Sequence, residues 1–184
     1  MTINEIIVMQ LQIAQGAALR NLDGVSHEES VVRPASGAND TNWIVGHMIA
    51  VRNRVLPAVG ESPVWDEAHI APYVTTSTDD ITGRMPFDEL RAALAATHER
   101  LTAAIARLDD AAFAQKSTFS PGNNPEETVQ SLLTSIVVHE SYHAGQIGVL
   151  RREMGKDGAI AIPAGVVNPA AAPRGTAIDT REDM

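Results

Sequence analysis

The 184 residues suit a single domain, and 44% of them are hydrophobic, which is enough for an ordinary buried core. Only 4% are aromatic, which disfavours a β-sandwich. None is cysteine, which excludes disulfides, thiolate metal ligands and a cysteine nucleophile. The formal net charge of -9 argues against a nucleic-acid partner, because neutralising phosphates requires a basic surface.

The sequence also bears on location. The first residues, MTINE, lack the basic and apolar stretches of a signal peptide. No apolar run approaches the roughly 20 residues that cross a bilayer. We therefore expect a cytoplasmic protein with no membrane partner.

Four segments carry apolar side chains at helical spacing and predict an all-α fold, a four-helix bundle over residues 1–156. The first helix is expected near residues 2–22, where its apolar stripe stops. The second is expected near residues 40–57, after a run of good N-cap residues. Its inward-facing stripe includes His47.

The third helix is predicted near residues 86–108, with Pro86 at the favourable first helical position. The fourth is predicted near residues 125–154. Asn124 is its expected N-cap, and Glu127 is the expected acid of a capping box.

A long connection, residues 60–85, joins the second and third helices and is expected to be irregular or to contain short turns at most. A bundle with one such long crossover is a known topology. The last segment, residues 157–184, is rich in alanine and proline and is predicted to be a tail outside the bundle.

Three histidines suggest a metal site. His139 and His143 are one helical turn apart, so both imidazoles leave the same face of the fourth helix. His47 occupies an inward position on the second helix. Three imidazoles can bind one divalent ion and leave open positions for water or substrate. A lone core histidine is more often structural, but burying three titratable rings without a partner is costly. For the other histidines we expect solvated side chains: His27, His69 and His98.

The segment HESYH, starting at His139, also matches the zinc-peptidase pattern H-E-x-x-H, in which Glu140 would be the general base. The metzincin continuation requires glycine at 146 and histidine at 149, where this chain has Gln146 and Val149. We therefore disfavour a peptidase and interpret Glu140 as an exposed helix residue.

Two stretches, NWIVGH ending at His47 and HESYHAGQIG starting at His139, resemble the motifs of the DinB/YfiT-like family of bacterial proteins. The order of helices over residues 1–155 agrees with that family. The resemblance implies a four-helix bundle with a long crossover and a three-histidine site for nickel, zinc or a similar ion, with His47, His139 and His143 as ligands. It also implies a homodimer.

The resemblance implies a function as well. Some members are thiol-dependent transferases or isomerases, so one hypothesis is a metal-dependent thiol S-transferase that uses bacillithiol, mycothiol or glutathione as co-substrate with a small-molecule substrate. The alternative is a non-catalytic metal-binding or stress-response protein. Candidate carboxylate-binding residues are Arg52, Arg151 and Arg152, and candidate pocket walls are Trp43, Trp65 and Tyr73.

Overall fold

A computed structural model of the chain describes residues 1–74 and 80–159. Within these residues the secondary structure is helical, with a single isolated β-bridge and no sheet. The helices are α1 (Ile3–Leu22), α2 (His27–Ser30), α3 (Thr41–Val55), α4 (Glu67–Ile70), α5 (Phe87–Ile105), α6 (Asp110–Ala114) and α7 (Val129–Glu153). Short 3-10 turns follow α3 and α4 at Leu56–Val59 and Ala71–Tyr73. The predicted all-α fold is confirmed.

The four long helices α1, α3, α5 and α7 form the bundle. The most extensive contacts are those of α1 with α7 and of α3 with α5, and contacts between α1 and α5 and between α3 and α7 close the arrangement. Asn42 near the start of α3 donates to the carbonyl of Met85, just before α5, at 3.1 Å. Farther along both helices, Arg52 donates to the carbonyl of Leu94 at 2.7 Å. The helices α3 and α5 therefore run in the same direction, which requires a connection that returns along the bundle.

Two clusters of buried apolar side chains fill the bundle, one toward each end. Burial of this apolar surface is the main stabilising contribution to the fold. The cluster at the end that carries the predicted histidine site, named here the site-end cluster, includes Trp43, Ile44, Met48, Tyr73, Leu90, Leu94 and Ile147. The far-end cluster includes Ile7, Leu11, Val55, Leu101, Leu132, Leu133 and Ile136.

The start of α7 differs from the prediction. The helix begins at Val129 with Thr128 as its N-cap, and not near Pro125 with Asn124 as the cap. The amide of Val129 donates to the carbonyl of Gln115 at 2.9 Å, in a short antiparallel pairing of the preceding segment. Because such pairing requires extended backbone, helix cannot begin until after it.

Glu127 is not the acid of a capping box either. Its side chain is buried, and its carboxylate accepts hydrogen bonds from the hydroxyls of Ser120, at 2.9 Å, and Ser131. The remaining bounds of the four long helices lie within three residues of the prediction. The short helices α2 and α6 were not predicted, since a single turn carries too little apolar periodicity to stand out.

None of the described helices combines the length and the apolar character needed to cross a bilayer. In its described part the connection over residues 60–85 contains only short helical turns, as expected. Residues 75–79 of that connection lie outside the described residues. The predicted tail, residues 157–184, lies outside them from residue 160 onward.

Candidate metal centre

Three imidazoles converge between α3 and α7. The Nε2 atom of His139 lies 3.2 Å from Nε2 of His47 and 3.1 Å from Nε2 of His143. His143 is buried, while His47 and His139 are half-buried. The i, i+4 spacing on α7 brings two rings to one face, and the packing of α3 against α7 adds the third. The structure thus brings together all three residues that the sequence singled out.

Hydrogen bonds at the opposite ring nitrogens fix the tautomers of two histidines. The Nδ1 atom of His47 lies 2.8 Å from the carbonyl oxygen of Tyr73, and Nδ1 of His143 lies 2.7 Å from Oε1 of Gln146. A carbonyl oxygen can only accept, so each Nδ1 carries the proton and each Nε2 presents a lone pair to the centre. This pattern, with the second nitrogen anchored to an oxygen, is typical of metal-ligating histidines.

The position of Tyr73 depends on a glycine. A Cβ atom at Gly46 would lie 2.2 Å from Cδ1 of the Tyr73 ring, so only glycine lets this ring pack directly on α3. The phenol hydroxyl accepts from the amide of Met85 at 2.7 Å, which anchors the other end of the side chain. Packing and hydrogen bond together hold the Tyr73 carbonyl against His47. The Trp43 ring stacks on a face of the His47 imidazole at a centroid distance of 4.6 Å.

Burial keeps the three imidazoles neutral. Desolvation lowers the pKa of His139 to about 3 and that of His143 to about 4, since a charged ring would lose its hydration. Desolvation also lowers the pKa of His47, although its hydrogen bond to the Tyr73 carbonyl partly opposes the shift. At neutral pH, all three rings are therefore in the form that can bind a cation.

The donor set fits a divalent ion. Metal–nitrogen distances of about 2.0–2.1 Å place two imidazole nitrogens about 2.9 Å apart around an octahedral ion and about 3.3 Å apart around a tetrahedral one. The observed separations of 3.1 and 3.2 Å fall between these values. All three ligand atoms lie within 4.8 Å of one another. Three neutral nitrogen donors favour transition metals such as zinc or nickel over calcium or magnesium.

The interpretation of Glu140 as an exposed residue is wrong. Its side chain is completely buried and accepts from Nε of Arg52 at 3.0 Å and from Nη2 of the same guanidinium. Glu140 lies on the buried stripe of α7, four residues after Ile136 and seven before Ile147. The apolar periodicity itself could have revealed this position, because a carboxylate on a buried stripe requires a buried partner.

The ion pair removes the structural basis of the peptidase interpretation. A general base must approach the water at the ion, whereas Glu140 is engaged by Arg52 inside the bundle. It also removes Arg52 as a candidate for binding the carboxylate of a substrate, since its guanidinium is already occupied and only 1% exposed.

The remaining candidates are dispersed. His27 and His69 are exposed, as predicted. His98 is half-buried instead, and burial together with the nearby charge of Arg52 lowers its pKa to about 4. The guanidinium of Arg151 donates to the carbonyls of Asn21 and Asp157 and links α7 to neighbouring backbone.

Of the proposed pocket walls, Trp43 stacks on His47 and Tyr73 supplies the carbonyl described above. The third proposed wall, Trp65, packs near Tyr73, with ring centroids 5.9 Å apart.

The support from Tyr73 and Gln146 was not predicted. Gln146 lies one turn after His143, a spacing at which side chains meet on a helix, so the sequence contained a usable signal. No comparable signal marks Tyr73, because its backbone carbonyl reaches His47 from a different segment of the chain.

Comparison with known proteins identifies a family for this chain. The family model of the DinB superfamily matches residues 10–147, which include the three histidines and most of the bundle. No curated protein matches the sequence significantly.

Proposed function

Because this chain belongs to the DinB superfamily, and because its three imidazole Nε2 atoms converge, with the tautomers of His47 and His143 fixed, we propose that His47, His139 and His143 bind one divalent ion, zinc or nickel. We further propose that this centre belongs to a metal-dependent thiol S-transferase or a related enzyme. The convergence of the three nitrogens is the observation that carries the proposal.

The number of protein ligands favours chemistry over a purely structural role. Among the described histidines and acidic residues, only three contribute to the cluster. The nearest carboxylate on α7, Glu140, is turned away and paired with Arg52. Structural zinc sites are usually closed by four protein ligands, whereas catalytic sites retain a position for water or substrate.

The proposed reaction joins a thiol to an electrophile. The thiol loses its proton to solvent, its sulfur forms a bond to the electrophilic carbon, and the leaving group departs with its electron pair. A divalent ion held by the three imidazoles supplies the positive charge that stabilises a thiolate, the reactive nucleophile. Because the protein contains no cysteine, the thiol must come from a low-molecular-weight co-substrate.

The chain's own residues contribute by their charge and position. Because the three imidazoles are neutral and add no negative charge, a divalent ion held by them would give a centre with a net positive charge that can stabilise a thiolate. A cavity beside Gln146, lined also by Ile44 and Val149, provides space for a small molecule one side chain away from His143. The side-chain amide of Gln146 donates to the hydroxyl of the exposed Tyr142 at 3.1 Å.

The experiment has two stages. Metal analysis of purified protein should find about one zinc or nickel ion per chain, and the ion should be removable by a chelator. Thiol transfer to a chlorodinitroaromatic electrophile should then be followed with glutathione, mycothiol and bacillithiol in turn. We expect activity only after the metal is restored, and none in His139→Ala, with His69→Ala as the matched control. Equal activity with and without metal would refute the enzymatic proposal.

A non-catalytic metal-binding protein is the second candidate, and one observation favours it. The cavities found in the described part of the chain are not lined by His47, His139 or His143. In this case the ion would link α3 to α7 and stabilise the bundle. A large rise in melting temperature on metal binding, with no thiol transfer to any electrophile tested, would support this candidate.

The proposal includes a homodimer, as the family resemblance implies. Several large apolar side chains are exposed on the outer faces of α1 and α7, and these helices pack against each other. They are Ile6, Met9 and Ile13 on α1 and Val138, Tyr142 and Val149 on α7. Light scattering at working concentration should give the mass of two chains.

A further inference from the structure

A buried ion pair lies at the centre of the bundle. The side chains of Arg52 and Glu140 are each only 1% exposed. The guanidinium donates through Nε to one carboxylate oxygen at 3.0 Å and through Nη2 to the other. Such a bidentate pair fixes both the distance and the relative orientation of its two side chains.

The remaining donors of Arg52 reach the other two long helices. Its Nη1 donates to the carbonyl of Leu94 on α5 at 2.7 Å, and its Nη2 donates to Oε1 of Gln15 on α1 at 2.8 Å. One guanidinium therefore contacts α1, α5 and α7 from its own position on α3. Any sliding or rotation of one helix against another would break at least one of these bonds.

The pair is adjacent to the three histidines along both helices that carry them. Arg52 follows His47 by five positions on α3, and Glu140 lies between His139 and His143 on α7. A slip of α3 by one residue along α7 would displace His47 by about 1.5 Å relative to the other two rings. A metal site tolerates ligand distances only to about 0.2 Å, so the register between α3 and α7 decides whether the site exists.

Stability alone gives little reason for the pair. Removing two charges from water is costly, and well-packed apolar side chains of similar volume often stabilise a protein as well or better. An apolar pair would leave the register less defined, because apolar contacts have no preferred direction.

We propose that Arg52 and Glu140 are positioning residues for the three-histidine centre. The ion pair holds α3 and α7 in the register in which the three Nε2 atoms converge. This inference rests on the proposed metal binding.

The test removes both charges together, by Arg52→Met combined with Glu140→Leu, because either change alone leaves a buried unpaired charge. Zinc affinity is measured by competition with a chelator, and the visible absorption of the cobalt-substituted protein reports the ligand geometry. We expect a folded protein with a melting temperature near that of the wild type, a zinc affinity lower by about 10–100-fold and a changed cobalt spectrum. Should this double variant not fold, Arg52→Met combined with Glu140→Gln, which also removes both charges and keeps the volume of the side chain at 140, is tested for the same two changes.

The control is Leu101→Ala, in the far-end cluster, which lowers stability without touching the pair. It should leave the zinc affinity and the cobalt spectrum unchanged. A folded double variant of either kind with wild-type zinc affinity and spectrum would overturn the positioning role. A wild-type protein that binds neither zinc nor cobalt would instead overturn the proposed metal centre, and the positioning role with it.

Discussion

At the far end of the bundle the long helices meet through aliphatic side chains such as Leu101, Leu132 and Ile136. At the site end the same helices also carry the three imidazoles, with Trp43 stacked on His47 and the Tyr73 carbonyl bonded to it. Between the two ends lies the layer formed by Arg52 and Glu140. Aliphatic contacts tolerate small shifts because dispersion and the hydrophobic effect are not directional. Hydrogen bonds to ring nitrogens do not tolerate them. The far end should therefore supply stability, and the site end should supply geometry.

The largest expected effect is the loss of a ligand at the site end. His143→Ala removes one of three nitrogen donors, and we expect zinc affinity to fall by more than about 100-fold, beyond the usual cost of losing second-sphere support. The stability of the metal-free protein should change much less. Chelator competition measures the affinity, with His69→Ala, an exposed histidine outside the cluster, as control. Full metal content in His143→Ala would show that the ion binds elsewhere.

At the far end the expected pattern is reversed. Leu101 is 1% exposed in the far-end cluster, so Leu101→Ala should lower the free energy of unfolding by about 2–5 kcal/mol through lost burial and a residual cavity. Zinc affinity of the folded protein should stay at its wild-type value. Urea denaturation and chelator competition on the same preparation test both statements. A parallel loss of affinity would mean that the two ends do not act separately.

Two glycines, Gly46 and Gly145, test how closely the Tyr73 ring must pack on α3 for the metal site to form. Gly46→Ala forces a Cβ atom against the Tyr73 ring, so we expect a destabilisation of about 1–3 kcal/mol and weaker zinc binding as the carbonyl moves away from His47. Gly145, on α7, has no neighbouring atom within 4 Å of a built Cβ. Gly145→Ala should therefore be neutral or stabilising by up to about 1 kcal/mol. Both are measured by thermal unfolding and chelator competition, and equal effects of the two changes would contradict the fit.

The smallest expected effect concerns pH. Burial and the nearby charge of Arg52 lower the pKa of His98 from 6.5 to about 4 in the folded protein. Between these values the unfolded chain binds a proton that the folded chain does not, so stability falls as the pH decreases from about 6.5 toward 4. In His98→Gln this loss should be smaller, by on the order of 1 kcal/mol at pH 5 once solvent screening of the partly exposed ring is allowed for.

Urea midpoints of the two metal-free proteins at pH 7 and pH 5 measure the difference. The three site histidines contribute equally to both proteins and cancel in the comparison. If His98→Gln loses as much stability as the wild type, then His98 is not kept neutral by burial.

Local sequence determined much of this protein. The spacing of apolar residues predicted the bounds of the four long helices to within a few residues, except at the start of α7, because an amphipathic helix repeats its apolar residues about every 3.6 positions. The same period placed His139 and His143 on one face, and an inward position for His47 could be read from its stripe. These features need only the geometry of single helices.

Tertiary structure decided the features that depend on segments distant in sequence. Helix α7 begins at Val129, later than predicted, because the amide of Val129 donates to the carbonyl of Gln115. The His47 tautomer is fixed by its hydrogen bond to the carbonyl of Tyr73. Glu140 is buried rather than exposed because Arg52, 88 positions earlier in the chain, pairs with its carboxylate and offsets the cost of its desolvation. A periodicity assigns each residue to a face of its own helix, but only the packing of helices decides which face meets a partner and which charge finds its counterpart.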